Sequence, residues 1–235
     1  MYSTGCLICG KELKYTDSAR TIKCHLCGEV YETNSCCADE HFVCDNCHSR
    51  PGEAGITGYA LSSKSKNPVT IATEMMGEES INMHGPEHHY LITAALLTAY
   101  KNSGGEIDLK KALLTAKQRS GNVPGGVCGM WGSCGAGMGA GIFISIITGA
   151  TPLSKTEWGQ ANLATAKSLF DIAQNGGPRC CKRNVWLSIL SVIDFTKEVT
   201  NISMEKPEKI QCHYFTKNMT CKKENCLFFP KSSPI

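Results

Sequence analysis

An apolar leader is missing from this sequence. MYSTGCLICGKEL places polar residues and cysteines where an export signal carries its hydrophobic run. The expectation is a cytoplasmic chain in a reducing compartment. Charge imbalance is missing too: 24 lysines and arginines against 21 acidic residues leave +3. That field is too weak to argue for nucleic acid by itself. No charged residue lies between Arg119 and Lys155, yet the strongly apolar part, GIFISIITGATPL, falls short of the about 20 residues that span a bilayer. It predicts a buried central helix and no membrane partner. There is no internal repeat, and the only biased segment is a run of glycines.

Cysteine is what the sequence has in excess, 15 in 235 residues. In a chain without an export signal this argues for metal ligation rather than disulfides. Eight of the cysteines fall in the first fifty residues. Cys6-Leu-Ile-Cys9-Gly and Cys24-His-Leu-Cys27-Gly are two knuckles in which the glycine lets the loop aim N–H groups at sulfur. Four thiolates so spaced suit tetrahedral zinc. A second set follows, Cys36, Cys37, His41, Cys44, Cys47 and His48, from which Cys37, His41, Cys44 and Cys47 are the favoured ligands. Pairs used in order and pairs interleaved both remain open. The knuckles resemble those of zinc ribbons and rubredoxin-like proteins. Such a lobe implies one or two zinc ions, serving either as structure alone or to dock a protein or an RNA.

Residues 1–50 are thus expected to form a zinc-binding lobe, 51–66 a connector, 67–201 a helical core and 202–235 a cysteine-rich tail. The fold class is mainly α: a helical bundle with an N-terminal zinc-ribbon-like β lobe and a small C-terminal metal lobe. Several helix starts are legible. Asn67-Pro68 and Asp108 read as caps, Pro86 as a first-turn residue, and Ser154 with Glu157 as a capping box. Trp158, Ala161, Thr165, Leu169 and Ile172 follow at helical spacing, while RNVWLSILSVIDFTKEV is apolar nearly all round and reads as central.

Nine of the 23 glycines lie between Gly121 and Gly141, around Cys128 and Cys134. GAGMGAG lacks the preceding strand of a dinucleotide fingerprint, so that reading is rejected. Cys128 and Cys134 pair instead with Cys180 and Cys181 of GGPRCCKRN, each pair before an apolar helix and beside glycines. Four cysteines at helix starts suit a [4Fe–4S] cluster, whose sulfurs accept backbone hydrogen bonds. The glycines would let backbone approach the cluster and helices pack around it. CGAGMGAGIFISIITGA and GGPRCCKRN resemble the cluster-binding region of iron–sulfur L-serine dehydratases, and more loosely that of cysteine desulfidases. The arrangement also resembles uncharacterised cysteine-rich proteins of anaerobes and methanogenic archaea. The enzyme resemblance carries over to Cys134 and Cys181; the third ligand, Cys128 or Cys180, has no clean match. It implies three thiolate ligands, an open iron, and elimination of water or sulfide, or sulfur transfer, on a small amino-acid-like substrate. Four core ligands would instead imply an electron carrier.

His84, Glu87 and His88 crowd the start of one helix. A neutral histidine there accepts a proton or ligates metal, and Glu87 orients it or serves as base. Cys212, Cys221 and Cys226, with interleaved aromatics, resemble the first three ligands of a C-x8-C-x5-C-x3-H RNA-reading finger. Pro230 stands where the last histidine belongs, so His213 or an outside residue must complete a zinc site, or the three hold an iron–sulfur cluster. The reading favours an oxygen-sensitive iron–sulfur enzyme with one to three zinc ions. The rival is a zinc-binding adaptor for RNA or protein.

Overall fold

A computed structural model describes residues 5–230. The first element is an antiparallel hairpin, β1 (Leu13–Lys23) and β2 (Val30–Cys37), in register from Leu13 opposite Cys37 to Lys23 opposite Val30, with a shift between Tyr15 and Arg20. Everything else regular is helical: α1 (Asp45–Ser62), α2 (Pro68–Gly77), α3 (Glu87–Asn102), α4 (Leu109–Ser120), α5 (Val127–Met130), α6 (Gly135–Thr148), α7 (Thr156–Asn175), α8 (Cys181–Thr200), and one 3₁₀ turn at Lys223–Asn225. The class is the expected one, mainly helical with a small N-terminal sheet.

The expected connector is helix instead. α1 runs through Pro51, Gly52, Gly55 and Gly58, and buries Ser49, Gly52, Ile56 and Ala60. Glycine in a helix interior costs about 1 kcal/mol against alanine. Packing recovers it at Gly52, where an added Cβ would run into Ile81. Asn67 caps α2 through Val69 and Thr70, and Asp108 caps α4 through Lys111, as their sequence positions suggest. The capping box does not form. Lys155 is the cap of α7, and the Ser154 hydroxyl meets Thr151 instead. Trp158 is correspondingly half exposed, at 53%.

α3 is the axis of the body. Only His89, Lys101 and Asn102 among its residues are not buried, and α1, α2, α4, α6 and α8 pack around it. α8 is also largely buried. α6, the uncharged helix, lies between α3 and α7 and is 14 residues long. Among the described residues, no helix is long and apolar enough to cross a membrane.

Two glycines of α6, Gly139 and Gly141, are required by this packing. A Cβ at Gly139 would meet Ile92 and come within 2.9 Å of the His89 carbonyl oxygen; at Gly141 it would meet Thr165 and the Ala161 carbonyl. The helix backbones approach because nothing stands between them. Gly139→Val is therefore expected to destabilise by about 3 kcal/mol, the upper range for overpacking. That is a fall of roughly 6–12 °C in Tm for a chain of this size. An unchanged melting curve would show that α3 and α6 do not meet at backbone distance.

Candidate metal centres and the buried histidine site

In the N-terminal lobe, the hairpin decides how the ligands group. β1 separates the knuckle at Cys6–Cys9 from the knuckle at Cys24–Cys27 by 11 strand residues, roughly 30 Å at strand rise. The two knuckles therefore cannot share an ion. β2 returns Cys37 to the first knuckle, and the chain after it reaches the second. Cys6, Cys9, Cys37 and His41 come together within 4.8 Å, as do Cys24, Cys27, Cys44 and Cys47. The pairs are interleaved, and the favoured second set of Cys37, His41, Cys44 and Cys47 is divided between the sites. Each group is fit to hold a metal ion. Cys9 Sγ lies 3.7 Å from Cys37 Sγ, and Cys27 Sγ 3.9 Å from Cys44 Sγ.

Backbone N–H groups point at these sulfurs, His41 N–H toward Cys37 and Cys44 N–H toward Cys24, both at 3.4 Å. Burial disfavours the Cys24 thiolate, but N–H groups of Cys44, Cys27 and Leu26 outweigh it and bring the thiol down to about 6. Cys36, one residue along the strand from Cys37, takes a hydrogen bond from Arg20 and joins neither group. His48 turns into the body.

There it meets Glu87, whose side chain is fully buried. His48 Nδ1 lies 3.2 Å from one carboxylate oxygen; the other accepts the Asn82 N–H at 3.1 Å and has His88 Nδ1 at 3.6 Å. Burial would raise this carboxyl, but the bond with His48 and the nearby imidazoles prevail and hold it at about 2. His88 Nδ1–H donates to the Gly85 carbonyl at 3.1 Å, and His84 Nε2–H donates to Asn218 Oδ1 at 3.3 Å. These bonds assign the tautomers. His88 Nε2 and His84 Nδ1 are then bare acceptors, both buried and both without a partner.

Burial is the main reason that both rings stay neutral, His84 at about 4 and His88 at about 3, with Arg179 and Lys182 adding to it. An ordinary histidine titrates at 6.5. Below that pH the unfolded chain takes up protons that the folded one refuses, so stability is complete above pH 6.5 and falls as pH drops toward 4. The slope is up to about 1.4 kcal/mol per pH unit for each ring. Urea midpoints measured from pH 7 to 4 should show this decline. A flat profile would mean that the rings are not held neutral.

The start of α8 carries the other half of the site. Lys182 is 1% exposed, its ammonium donating to the Met76 carbonyl at 3.2 Å and lying 4.9 Å from the Tyr214 ring. Burial brings it down to about 8, although Glu87 works the other way. Arg183, also buried, donates to the Gly176 and Pro178 carbonyls. Asn184 Nδ2–H points at Cys134 Sγ, 3.3 Å away. Cys134 caps α6, Cys128 lies in α5, and Cys181 is the first residue of α8. Although part of its surface is open, burial pushes the Cys181 thiol up to about 12, against the pull of Arg179 and the Gly85 N–H. Its neighbours include Cys134, and those of Cys128 are Cys134 and Arg179. Cys134 is thus the common neighbour of Cys128 and Cys181, although the three sulfurs do not converge within 4.8 Å of one another.

Cys180 does not join them. As the extended cap of α8 it faces a cavity that Cys212, Cys221 and Cys226 line with it. The expected four-cysteine core is thus divided. His213 is exposed, so Cys180 stands where the tail's missing partner was sought. The tail's aromatics are turned inward: Phe228 and Tyr214 pack on Trp186, and Phe215 on Phe229. An RNA finger would need those faces free for bases.

Sequence reasoning missed Lys182 and Asn184, and took His48 only as a spare metal ligand. A lysine, an arginine and an asparagine opening a helix whose next nine residues are almost wholly apolar were the available signal. The matched family region begins at residue 56 and ends at 229. It includes His84, Glu87, His88 and all seven cysteines of the body, and it leaves out His48 and the eight lobe ligands. No curated protein matches the chain and no solved structure does, so the likeness of the central motifs to L-serine dehydratases and cysteine desulfidases finds no support there. With the family model covering residues 56–229 of 235, the chain belongs to the family of unknown function DUF5714.

Proposed function

We propose that this protein is an iron–sulfur enzyme whose central cluster is held by Cys128, Cys134 and Cys181, with zinc in the two lobe sites. The observation that carries this reading is the charge at the start of α8. Lys182 is buried in its first turn, where a helix already presents its positive end; that turn holds no acidic residue, and Glu87 acts on Lys182 only from beyond ion-pair distance. Among the described residues, neither Lys182 nor Arg179 pairs with a carboxylate. Buried cations against a positive dipole end are costly unless an anion lies beside them. A thiolate-ligated [4Fe–4S] cluster is such an anion, and the helix starts at Cys134 and Cys181 present N–H groups to it. A thiol raised like that of Cys181 loses its proton on coordination.

With Cys180 facing elsewhere, three thiolates leave one iron without a protein ligand. When bound, such a cluster supplies a Lewis acid that polarises a substrate heteroatom. The chain supplies the rest. Arg179 suits the carboxylate of a small amino-acid-like substrate. The bare Nδ1 of His84, beside Arg179, suits a proton taken from the carbon next to that carboxylate. Glu87, ionised and bonded through both oxygens, is a positioning residue rather than a base. The reaction class that follows is elimination of water or sulfide.

Anaerobic purification followed by iron, zinc and acid-labile sulfide analysis tests this. Cys134→Ala and Cys181→Ala should each lose roughly four iron and four sulfide per chain relative to the parent. They should also lose turnover of small 2-amino acids that carry a β-hydroxyl or β-thiol. Zinc alone, unchanged in both variants, would end the enzyme reading. The exposed Leu26 and Val30 near the hairpin turn would then be the place to seek a protein partner.

A further inference from the structure

Beyond the central site lies a second sulfur-lined chamber. Cys180 comes to it from the cap of α8, and Cys212, Cys221 and Cys226 from the segment after that helix. That segment has a single 3₁₀ turn between residues 201 and 230. Structureless stretches of more than about 15 residues are uncommon in compact domains unless something holds them. Here the ties are scattered single bonds, among them the Glu205 N–H to the Lys66 carbonyl, the Cys212 N–H to the Phe228 carbonyl, Tyr214 to the Thr73 carbonyl, Lys222 to the Asn175 carbonyl and Asn218 to His84, together with the inward packing of the aromatic rings. The cysteines lie between them.

The chamber is narrow and partly open to solvent. It is too narrow for a metabolite. Its walls are sulfur, the aromatic rings of Trp186, Tyr214 and Phe215, and Arg183. Backbone N–H groups point at the sulfurs, Tyr214 N–H toward Cys212 at 3.4 Å and Lys223 N–H toward Cys221 at 3.3 Å. Such bonds serve thiolates, not buried thiols.

The spacing separates one metal from a cluster. Zinc binds sulfur at about 2.3 Å and so holds four sulfurs within roughly 4 Å of one another. The lobe sites already show that convergence, and these four sulfurs do not draw together in the same way within 4.8 Å. A cubane, whose metals stand between its ligands, requires the wider set. Arg183 in the wall supplies the positive charge that an anionic cluster needs.

We propose that Cys180, Cys212, Cys221 and Cys226 hold a second [4Fe–4S] cluster with thiolate on every iron, which fastens the carboxy-terminal segment to the body. This site does not rest on the central one, and its cluster has no iron open to substrate.

The test uses the full chain purified without oxygen. Cys221→Ala and Cys180→Ala should each lose roughly four iron and four sulfide, while Cys134→Ala keeps a dithionite-reducible [4Fe–4S] signal in electron paramagnetic resonance. Should either tail variant fail to fold, the parent itself decides. Under mild ferricyanide oxidation, Mössbauer spectra should retain one intact [4Fe–4S] cluster, since removal of an iron is favoured where an iron lacks a thiolate. If only the central reading fails, Cys134→Ala changes nothing and the tail variants still lose their iron. A zinc ion lost in Cys221→Ala with iron unchanged would overturn the proposal. So would Cys180→Ala removing the same iron as Cys134→Ala while Cys221→Ala removes none.

Discussion

Exchange of Cys44 for alanine should empty both N-terminal sites, not one. Cys44 belongs to the second group, with Cys24, Cys27 and Cys47. Loss of that ion frees the hairpin turn and the start of α1 together. The strands then have little to hold them: most of β1 is exposed, and an isolated two-stranded hairpin is marginal in water. Structural zinc sites contribute about 10–16 kcal/mol of apparent folding free energy at neutral pH, far more than any contact in the lobe. The first site, built across the same hairpin, should fall with the second. With the lobe sites loaded as proposed, metal bound to the lobe should drop from two ions to near zero, and amides of Leu13–Cys37 should lose protection from exchange. The helical body should keep its melting transition. Retention of one ion with a protected hairpin would mean that the sites are independent, as ligands used in chain order would be.

The second large effect is expected for Glu87→Gln. Glutamine matches the shape but carries no charge, and it puts an N–H₂ group toward Asn82 N–H or His48. Glu87 is also the carboxylate that works to keep buried Lys182 charged. Breaking a buried charge network by removing one partner costs about 3–5 kcal/mol, or roughly 6–20 °C of Tm in a chain of this size. The double variant with His48→Gln measures the coupling: it should be less destabilised than the sum of the single changes. An unchanged Tm in Glu87→Gln would show that the carboxylate is not enclosed as described.

Much of the helical body was legible because its signals are local. Asn67 and Asp108 announce α2 and α4 through bonds made within three residues. The failures are of two kinds. Ser154 and Glu157 have the right spacing for a cap, but Thr151 competes for the serine hydroxyl. The ligand groupings failed for a different reason: they depend on where the chain doubles back. Cys6 and Cys24 look alike in sequence, and only the length of β1 keeps them apart. Cys180 and Cys181 are neighbours, yet one is extended and the other helical. Their side chains therefore leave the backbone in different directions, and no spacing rule foretells which centre each will serve. Lys182 escaped notice because lysines are almost never fully buried.

One residue step in α1 has a further meaning. Cys47 belongs to the lobe's second metal group, and His48 touches the carboxylate at the heart of the body. Asp45 of the same turn takes the Gly125 N–H at 2.6 Å, and Tyr15 of β1 lies 5.9 Å from the Arg179 guanidinium. The family region starts only at residue 56, so the partner of Glu87 comes from outside it. The lobe is thus a keystone rather than a tag. A protein trimmed to the family region would be left with an interior anion that has lost its nearest imidazole.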